Sequence, residues 1–300
     1  MNTAEILQKA RSKVWYQHLI PVLNAQKDFS YAVIKGEALS VQAFGAPGRR
    51  SSADIDLLVD KSQLKKLEQV LTEHGFTTAR LSRAQQIVAR AFSHQVAPYR
   101  KALPLGDLEV DLNYDLLWGE WTGERLSVSD MLARRQWLTI YEQSVPVLDT
   151  VDAFVQLCLH HYKDMNSLYH LAQHNSIRRQ SFLDVAEFWK RNRGALERQK
   201  EVLWQQMERY ALAPYFYYMW YWTGTLLEVP ELLAWAQAVE SAEGRALLDT
   251  YGLTAAERKT WKIPMEQRLD APQLPQQVWE QLTQQDQEKI RQEQAIFGGL

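Results

Sequence analysis

The spacing of apolar residues changes near residue 150, and this change constrains the fold more strongly than any other feature of the chain. Before that point, short apolar runs typical of strands alternate with glycine-containing turns and helical segments. After it, apolar residues recur at helical intervals, and proline and glycine mark the joints. With 300 residues, of which 46% are apolar, the chain is long enough for two ordinary domains. We predict a mixed domain over residues 1–148 and a helical domain over residues 149–300.

Several segments have a clear period. In the first half, the pattern predicts helices over residues 3–26, 37–44 and 61–74, and strands over 31–34, 54–59 and 108–113. The polar, basic segment 80–100 does not decide between helix and strand. In the second half, Asp152 indicates a helix start, and further helices are predicted over 179–191, 194–210, 214–227 and 230–239. The polar segment after residue 270 is predicted to form a solvated helix or a frayed tail.

Two acidic residues on one predicted strand are the main catalytic candidates. Asp54 and Asp56 flank Ile55, and alternate residues of a strand face the same side, only ~6.6 to 6.8 Å apart along the chain. Carboxylates so placed can share a pair of Mg²⁺ ions, which stabilise the attacking and leaving oxygens of a displacement at phosphorus. The strand over 108–113 offers a third carboxylate from Glu109 or Asp111. The alternative for an isolated Asp-x-Asp is a solvated strand end.

Three short segments extend this pattern. They read VIKG at 33–36, GAPGRRSSADIDLLV at 45–59 and EVDLN at 109–113. Together they resemble a poorly characterised bacterial nucleotidyltransferase family of the polymerase-beta-like superfamily, and residues 151–164 resemble the start of its helical half. The resemblance implies an α+β fold in which a nucleotidyltransferase domain with a small mixed sheet precedes an all-α, acceptor-binding domain with a polar tail.

The resemblance also implies roles for individual residues. By this resemblance, Asp54, Asp56 and Asp111 are the catalytic residues and bind two Mg²⁺ ions. Binding of the nucleoside triphosphate falls to Lys35, Gly36 and Arg50, because guanidinium and ammonium groups bind phosphate oxygens. ATP is the default donor because it is abundant. From the residues alone, Arg50 could instead pair with Asp54 or Asp56, and Lys35 could be solvated.

Three positions depart from the pattern of these families. Glu37 follows Gly36, where the wider superfamily has a phosphate-binding serine. Asn113 replaces a histidine, which removes a titrating group but keeps a hydrogen-bonding side chain. Asp164 replaces a second histidine in the helical half. A degenerate, non-catalytic binding protein that retains the fold therefore stays open as an alternative.

The expected function is transfer of a nucleoside monophosphate to an acceptor, with a small molecule or peptide favoured. A toxin-like transferase that acts on tRNA or protein is the rival within enzymology. The net charge of −2 gives no sign of a chain that neutralises a nucleic-acid backbone. Charged residues near the start argue against a secretory signal, and no run of about 18 apolar residues occurs, so we expect a cytoplasmic protein without membrane spans.

Other polar and aromatic clusters are weaker candidates. His170 and His174 have a spacing that suits zinc, but satisfied or substrate-facing histidines are favoured. The aromatic run 215–222 is predicted to pack between helices, although its rings could stack a base or acceptor. Arg178 and Arg179, with Lys190 and Arg191, are predicted to form a solvated basic face rather than a site for an anionic acceptor.

Overall fold

The computed structural model describes residues 3–50, 52–79, 82, 85 and 93–297. Its main sheet has seven strands in the order β3-β4-β5-β2-β1-β7-β6. Strands β1 and β2 are antiparallel, β2 and β5 are parallel, and β1 and β7 are parallel, so the sheet is mixed. The strands are β1 Tyr31–Ile34, β2 Ile55–Val59, β3 Thr77–Thr78, β4 Tyr99–Lys101, β5 Leu108–Asn113, β6 Gln136–Ile140 and β7 Gln143–Val147.

Helices surround the sheet and make up most of the chain after Val147. Those of the first half are α1 Thr3–Asn24, α2 Gly36–Phe44, α3 Leu64–Glu73 and α4 Val128–Ala133. Those of the helical half are α5 Thr150–Asn166, α6 Leu168–Gln173, α7 Arg179–Arg198, α8 Lys200–Arg209, α9 Ala213–Leu226, α10 Pro230–Ala238, α11 Ala242–Leu248, α12 Met265–Arg268, α13 Leu274–Trp279 and α14 Gln284–Phe297. A short ladder pairs β8 Thr250–Tyr251 with β9 Lys259–Thr260. The predicted α+β class is confirmed.

The two faces of the sheet belong to different apolar cores. Because side chains alternate along β1, Tyr31 and Val33 pack in a core shared with α1, whereas Ala32 and Ile34 pack in the core of the helical half. The sheet therefore lies between α1 on one side and the helical half on the other, and side chains on its second face meet the helical half.

Three predictions about elements need correction. Asp149, not Asp152, caps α5 by accepting a hydrogen bond from the Asp152 N–H, and Asp152 is buried against Arg134 and Gln206. Helix α7 continues through Gly194 to Arg198, whereas the predicted helix ended at Arg191.

Of the two alternatives predicted for the tail, a helix forms, but it is packed on the helical half rather than solvated. Helix α14 buries Ile290 against the helical half, and Lys289 binds Glu120 and Glu257, so this segment is packed rather than frayed. Part of the undecided segment forms β4, while residues 80, 81, 83, 84 and 86–92 lie outside the described residues. None of the helices in the described part of the chain is both long and apolar enough to cross a membrane.

Candidate active site

The three candidate carboxylates lie on the sheet face that meets the helical half. Ile55 and Leu57 of β2 are buried on the α1 side, so Asp56 between them faces the opposite side, and β5 alternates in the same way. Parallel pairing puts Asp56 beside Asp111. Asp54 lies two residues before Asp56, directly ahead of β2. The fold thus brings these three residues together on one face of adjacent strands.

Asp56 has two partners on this face. The Nζ atom of Lys35 lies 2.6 Å from Asp56 Oδ1, and the two side chains are only 14% and 6% exposed. Asn113 Nδ2 donates to the same oxygen at 3.2 Å. Lys35 is therefore paired rather than solvated. Asn113, which stands where the resembled family has histidine, supports a candidate catalytic carboxylate.

The other two carboxylates are held in a less favourable environment. Partial burial, together with the charge of Asp56, raises the pKa of Asp54 to about 6. Burial and the charges of Asp56 and Asp54 raise the pKa of Asp111 to about 8. The site therefore carries more negative charge than Lys35 alone offsets, which is the electrostatic condition under which a cation binds.

The backbone between β1 and α2 is unusual. Lys35 has φ 56° and ψ −153°, a conformation that costs roughly 1–3 kcal/mol for a residue with a side chain. Gly36 follows with φ 40°, and a Cβ atom there would lie 2.9 Å from Ser52 Oγ. Ser52 in turn donates to the backbone oxygen of Asp54 at 2.9 Å. Because of this close approach, the start of α2 lies next to the segment that carries Asp54. The N-terminus of a helix favours anions.

Glu37 and Ser40 hold the loop that precedes β2. Glu37 is buried, and its carboxylate accepts hydrogen bonds from the Gly48 N–H at 2.6 Å and from the Tyr141 hydroxyl at 2.8 Å. Ser40 Oγ accepts from the backbone N–H of Arg49 at 2.9 Å and donates to Ala46 at 2.8 Å. The acidic residue that departs from the superfamily pattern is thus a structural partner of the loop.

Arg50, in the same loop, binds the helical half. Its Nε donates to Asp184 Oδ2 at 2.8 Å, and Asp184 is fully buried. His161 Nε2 lies 3.3 Å from the same oxygen, and Gln180 donates to Asp184 Oδ1 at 2.9 Å. The alternative in which Arg50 pairs with Asp54 or Asp56 is wrong for this structure, because its ion pair is with Asp184.

The remaining acidic candidates near β5 have other partners. Glu109 binds Arg100 on the adjacent strand at 2.6 Å. Asp115 accepts from the Leu117 N–H at 2.9 Å and binds Arg125 at 2.6 Å, just beyond the end of the strand. Asp111 is thus the acid of β5 that is left facing Asp56.

A cavity of about 260 Å³ adjoins the carboxylates, and we call it the inner cavity. Lys35 and Asp111 line one side, and residues of α5 and α6 line another, among them Lys163, Asp164 and His170. Its far wall is aromatic and charged and comes partly from the end of the chain, with Trp118, Glu120, Tyr169, Leu253, Glu257, Asp286, Lys289, Ile290 and Glu293.

The aromatic run and the histidines, which were weaker candidates in the sequence, have different surroundings in the structure. Side chains 215–220 are buried in α9, where Trp220 stacks between Phe154 and Trp204, so the aromatic run packs the helical core. His160 Nε2 lies 3.4 Å from Asp164, the residue that replaces a family histidine.

Within the described residues, no three His, Cys, Asp or Glu side chains are already arranged to hold a metal ion. The donor chemistry nevertheless fits Mg²⁺, because Asp54, Asp56 and Asp111 are oxygen ligands on adjacent backbone positions whose mutual repulsion a cation would relieve. Binding would require these side chains to converge and Lys35 to share Asp56.

The sequence matches the model of a family described as uncharacterised nucleotidyltransferases over residues 2–228. The chain belongs to this family. The matched region spans the whole sheet and the helices through α9, so it contains Asp54, Asp56 and Asp111, whereas α10 to α14 lie beyond it. The protein is thus a nucleotidyltransferase, as predicted. No curated protein matches it.

Several solved structures resemble this nucleotidyltransferase. The antibiotic-resistance factor ANT(2'')-Ia is 10% identical, with a TM-score of 0.39 over 68% of this chain and 95% of that one. An antigenic nucleotidyltransferase-like protein from Paracoccidioides brasiliensis is 20% identical, with a TM-score of 0.34 over 63% and 78%. The lincosamide antibiotic adenylyltransferase LnuA, bound to lincomycin, is 13% identical, with a TM-score of 0.34 over 59% and 94%. Likeness at this level does not extend to substrate.

Proposed function

We propose that this nucleotidyltransferase moves a nucleoside monophosphate from a nucleoside triphosphate, with ATP as the default donor, to a small-molecule or peptide acceptor in a Mg²⁺-dependent reaction. The observation that carries the proposal is the pairing of Asp56 with Asp111 on parallel strands, with Asp54 directly ahead of β2.

Asp54, Asp56 and Asp111 are the residues that would hold two Mg²⁺ ions. When bound, such ions polarise the phosphate and stabilise the attacking and leaving oxygens. Asp111 lies at the wall of the inner cavity and is placed to accept the proton of an acceptor hydroxyl.

Lys35, Gly36 and Arg50 would bind the triphosphate. Lys35 carries its charge beside the carboxylates, because the charge of Asp56 and their hydrogen bond raise its pKa despite the opposing effect of burial. Gly36 lets Ser52 and the segment before Asp54 lie close to the N-terminus of α2, and backbone N–H groups at such a terminus bind phosphate. Arg50 is held at the opposite side of the same loop by Asp184.

The acceptor would enter the inner cavity. This cavity touches both Lys35 and Asp111, and at about 260 Å³ it is too small for a folded macromolecule, which leaves a small molecule or an extended peptide segment. Its aromatic and charged walls offer both stacking and polar contacts, which is typical of selective small-molecule sites.

The test is transfer of label from each of the four nucleoside triphosphates, labelled at the α-phosphate, in the presence of Mg²⁺ and a cell extract. The proposal expects EDTA-sensitive label in the small-molecule or peptide fraction. Label in tRNA or intact protein would instead support the toxin-like alternative. Absence of transfer from all four donors, with Mg²⁺-dependent nucleotide binding retained, would support a non-catalytic binder.

A further inference from the structure

A second cavity, of about 560 Å³, lies between the loop before β2 and the start of the helical half. We call it the arginine cavity, because Arg49, Arg50 and Arg178 line it. Its volume falls in the range of about 300–1,000 Å³ that is typical of ligand sites. Ala53 lies in its wall next to Asp54, and His160, Asp164 and His170 belong both to this cavity and to the inner cavity. The two cavities therefore meet beside the candidate catalytic face.

The charge of the arginine cavity favours an anion. Its two acids are already compensated, since Asp184 binds Arg50 and Asp164 lies 3.5 Å from Lys163. In the described part of the chain, neither Arg49 nor Arg178 has a carboxylate within 4 Å. Arg178 Nε donates to the backbone oxygen of Asn175 at 2.8 Å, so the charges of Arg49 and Arg178 are not balanced by a carboxylate and can attract an anionic ligand.

Two histidines of this wall, His160 and His170, contribute hydrogen bonds rather than charge. Desolvation lowers the pKa of His170 to about 4 and that of His160 well below its usual value, so both rings are neutral near pH 7. Neutral imidazoles beside arginines can donate to or accept from a phosphate and its bound water without adding cations.

We propose that the arginine cavity binds the β- and γ-phosphates of the donor nucleotide and that Arg178, from the helical half, is one of the residues that bind them. The inference rests on the proposed function. In that reaction the acceptor oxygen forms a bond to the α-phosphorus, the bond from the α-phosphorus to the bridging oxygen breaks, and pyrophosphate leaves with the electron pair while the acceptor proton goes to a base. The acceptor and the leaving group then occupy different cavities.

Arg50 is shared between the two halves in this arrangement. Asp184, buried in α7, accepts from Arg50 Nε, and Arg50 also lines the arginine cavity. Arg178 stands at the N-cap position of the same helix, and Ser181 of its first turn also lines the cavity. One helix thus holds Arg50 and presents Arg178, so phosphate binding would use both halves of the molecule.

The experiment measures binding of inorganic pyrophosphate with Mg²⁺ by calorimetry, which needs no catalysis. Arg178→Gln should weaken this binding about tenfold or more, because a charge-assisted contact is lost. Arg178→Lys should retain most of it. Arg179→Gln is the matched control, since Arg179 is the next residue, is exposed and does not line the cavity. In transfer assays, Arg178→Gln should raise KM for the triphosphate and leave KM for the acceptor unchanged.

Equal pyrophosphate affinity for wild type, Arg178→Gln and Arg179→Gln would overturn the inference, and so would a rise in the acceptor KM alone. Failure of the proposed function gives a different result, namely Arg178-dependent pyrophosphate binding by a protein that transfers no nucleotide. Thermal denaturation of each variant checks that folding is unchanged.

Discussion

Asp56 and Asp111 are neighbours in the sheet, but their carboxylates are in different electrostatic states. Asp56 accepts from Lys35 and Asn113, whereas no hydrogen-bond donor reaches the Asp111 carboxylate from the residues that the structure describes. Burial and two nearby carboxylates therefore act on Asp111, and only the charge of Lys35 opposes them. The same substitution, Asp to Asn, should have opposite effects on stability at the two positions.

We predict that Asp111→Asn stabilises the metal-free protein at pH 8 by roughly 1–2 kcal/mol, because it removes a charge that the fold disfavours. Asp56→Asn should destabilise it by a similar amount, since Lys35 loses its ionic partner in a mostly buried position. Urea denaturation in EDTA measures both. If Asp111→Asn proves as destabilising as Asp56→Asn, the Asp111 carboxylate is not repelled by its neighbours.

Period-two alternation was sufficient to predict that Asp54 and Asp56 face one side, because strand geometry fixes which side chains of one strand share a side. That Asp111 lies beside them depends on the pairing of β2 with β5, which alternation within a strand does not reveal. Alternation could not find the partner of Arg50 either, since Asp184 is 134 positions away and the contact depends on tertiary packing. The available signal was an acidic residue one helical turn before Phe188 on an apolar face of α7.

At the scale of elements, the loop between α2 and β2 connects the candidate phosphate-binding residues, and side chains of α2 hold it. Glu37 binds both Gly48 in this loop and Tyr141 in the turn between β6 and β7. A serine at position 37 is too short to make both contacts. Glu37 is therefore a structural partner of this loop.

We accordingly expect Glu37→Ser, which installs the superfamily residue, to lower transfer rather than to improve it. Loss of two buried hydrogen bonds should cost about 1–3 kcal/mol of stability and raise KM for the triphosphate as the loop loosens. Steady-state kinetics and thermal denaturation test this. A gain in kcat/KM would show that a serine hydroxyl binds phosphate here and that Glu37 impairs the site.

The hairpin of β6 and β7 shows why some elements were not predictable. Its two-residue turn, Tyr141 and Glu142, has positive φ at both positions, a conformation that usually carries Asn or Gly. The turn is maintained by tertiary contacts instead, from Tyr141 to Glu37 and from Glu142 to Lys13. Without the usual turn residues, local sequence gave no hairpin signal.

At the scale of the whole molecule, the end of the chain closes the inner cavity through a charged cluster. Lys289 of α14 binds Glu120, from the segment after β5, and Glu257, from the segment before β9. Glu293 lies one turn further, 3.9 Å from Lys289. Burial is the main cause that raises the pKa of Glu293 to about 7; the charge of Lys289 opposes it, and the charges of Glu120 and Glu257 act in the same direction as burial.

This cluster predicts a pH dependence of stability. Between pH 4.5 and pH 7 the folded protein keeps a proton on Glu293 that the unfolded chain releases, so this contribution to stability is lost as pH rises through 7. Glu293→Gln should be neutral at pH 4 and stabilising by roughly 1–2 kcal/mol at pH 8. Denaturation of both proteins across this range checks it. A constant difference between them at all pH values would mean that Glu293 is ionised throughout.

Asp54, Asp56 and Asp111 are proposed to carry out metal-dependent nucleotidyl transfer from one face of the sheet, and a comparison of transfer rates tests this assignment. Initial rates of label transfer from an α-labelled triphosphate should be measured with saturating Mg²⁺ for wild type, Asp56→Asn and Asp107→Asn, an exposed control with the same change of charge. We predict a near-native rate for Asp107→Asn and a loss of several orders of magnitude for Asp56→Asn, with both variants folded. Transfer by folded Asp56→Asn at the wild-type rate would contradict the assignment of the active site.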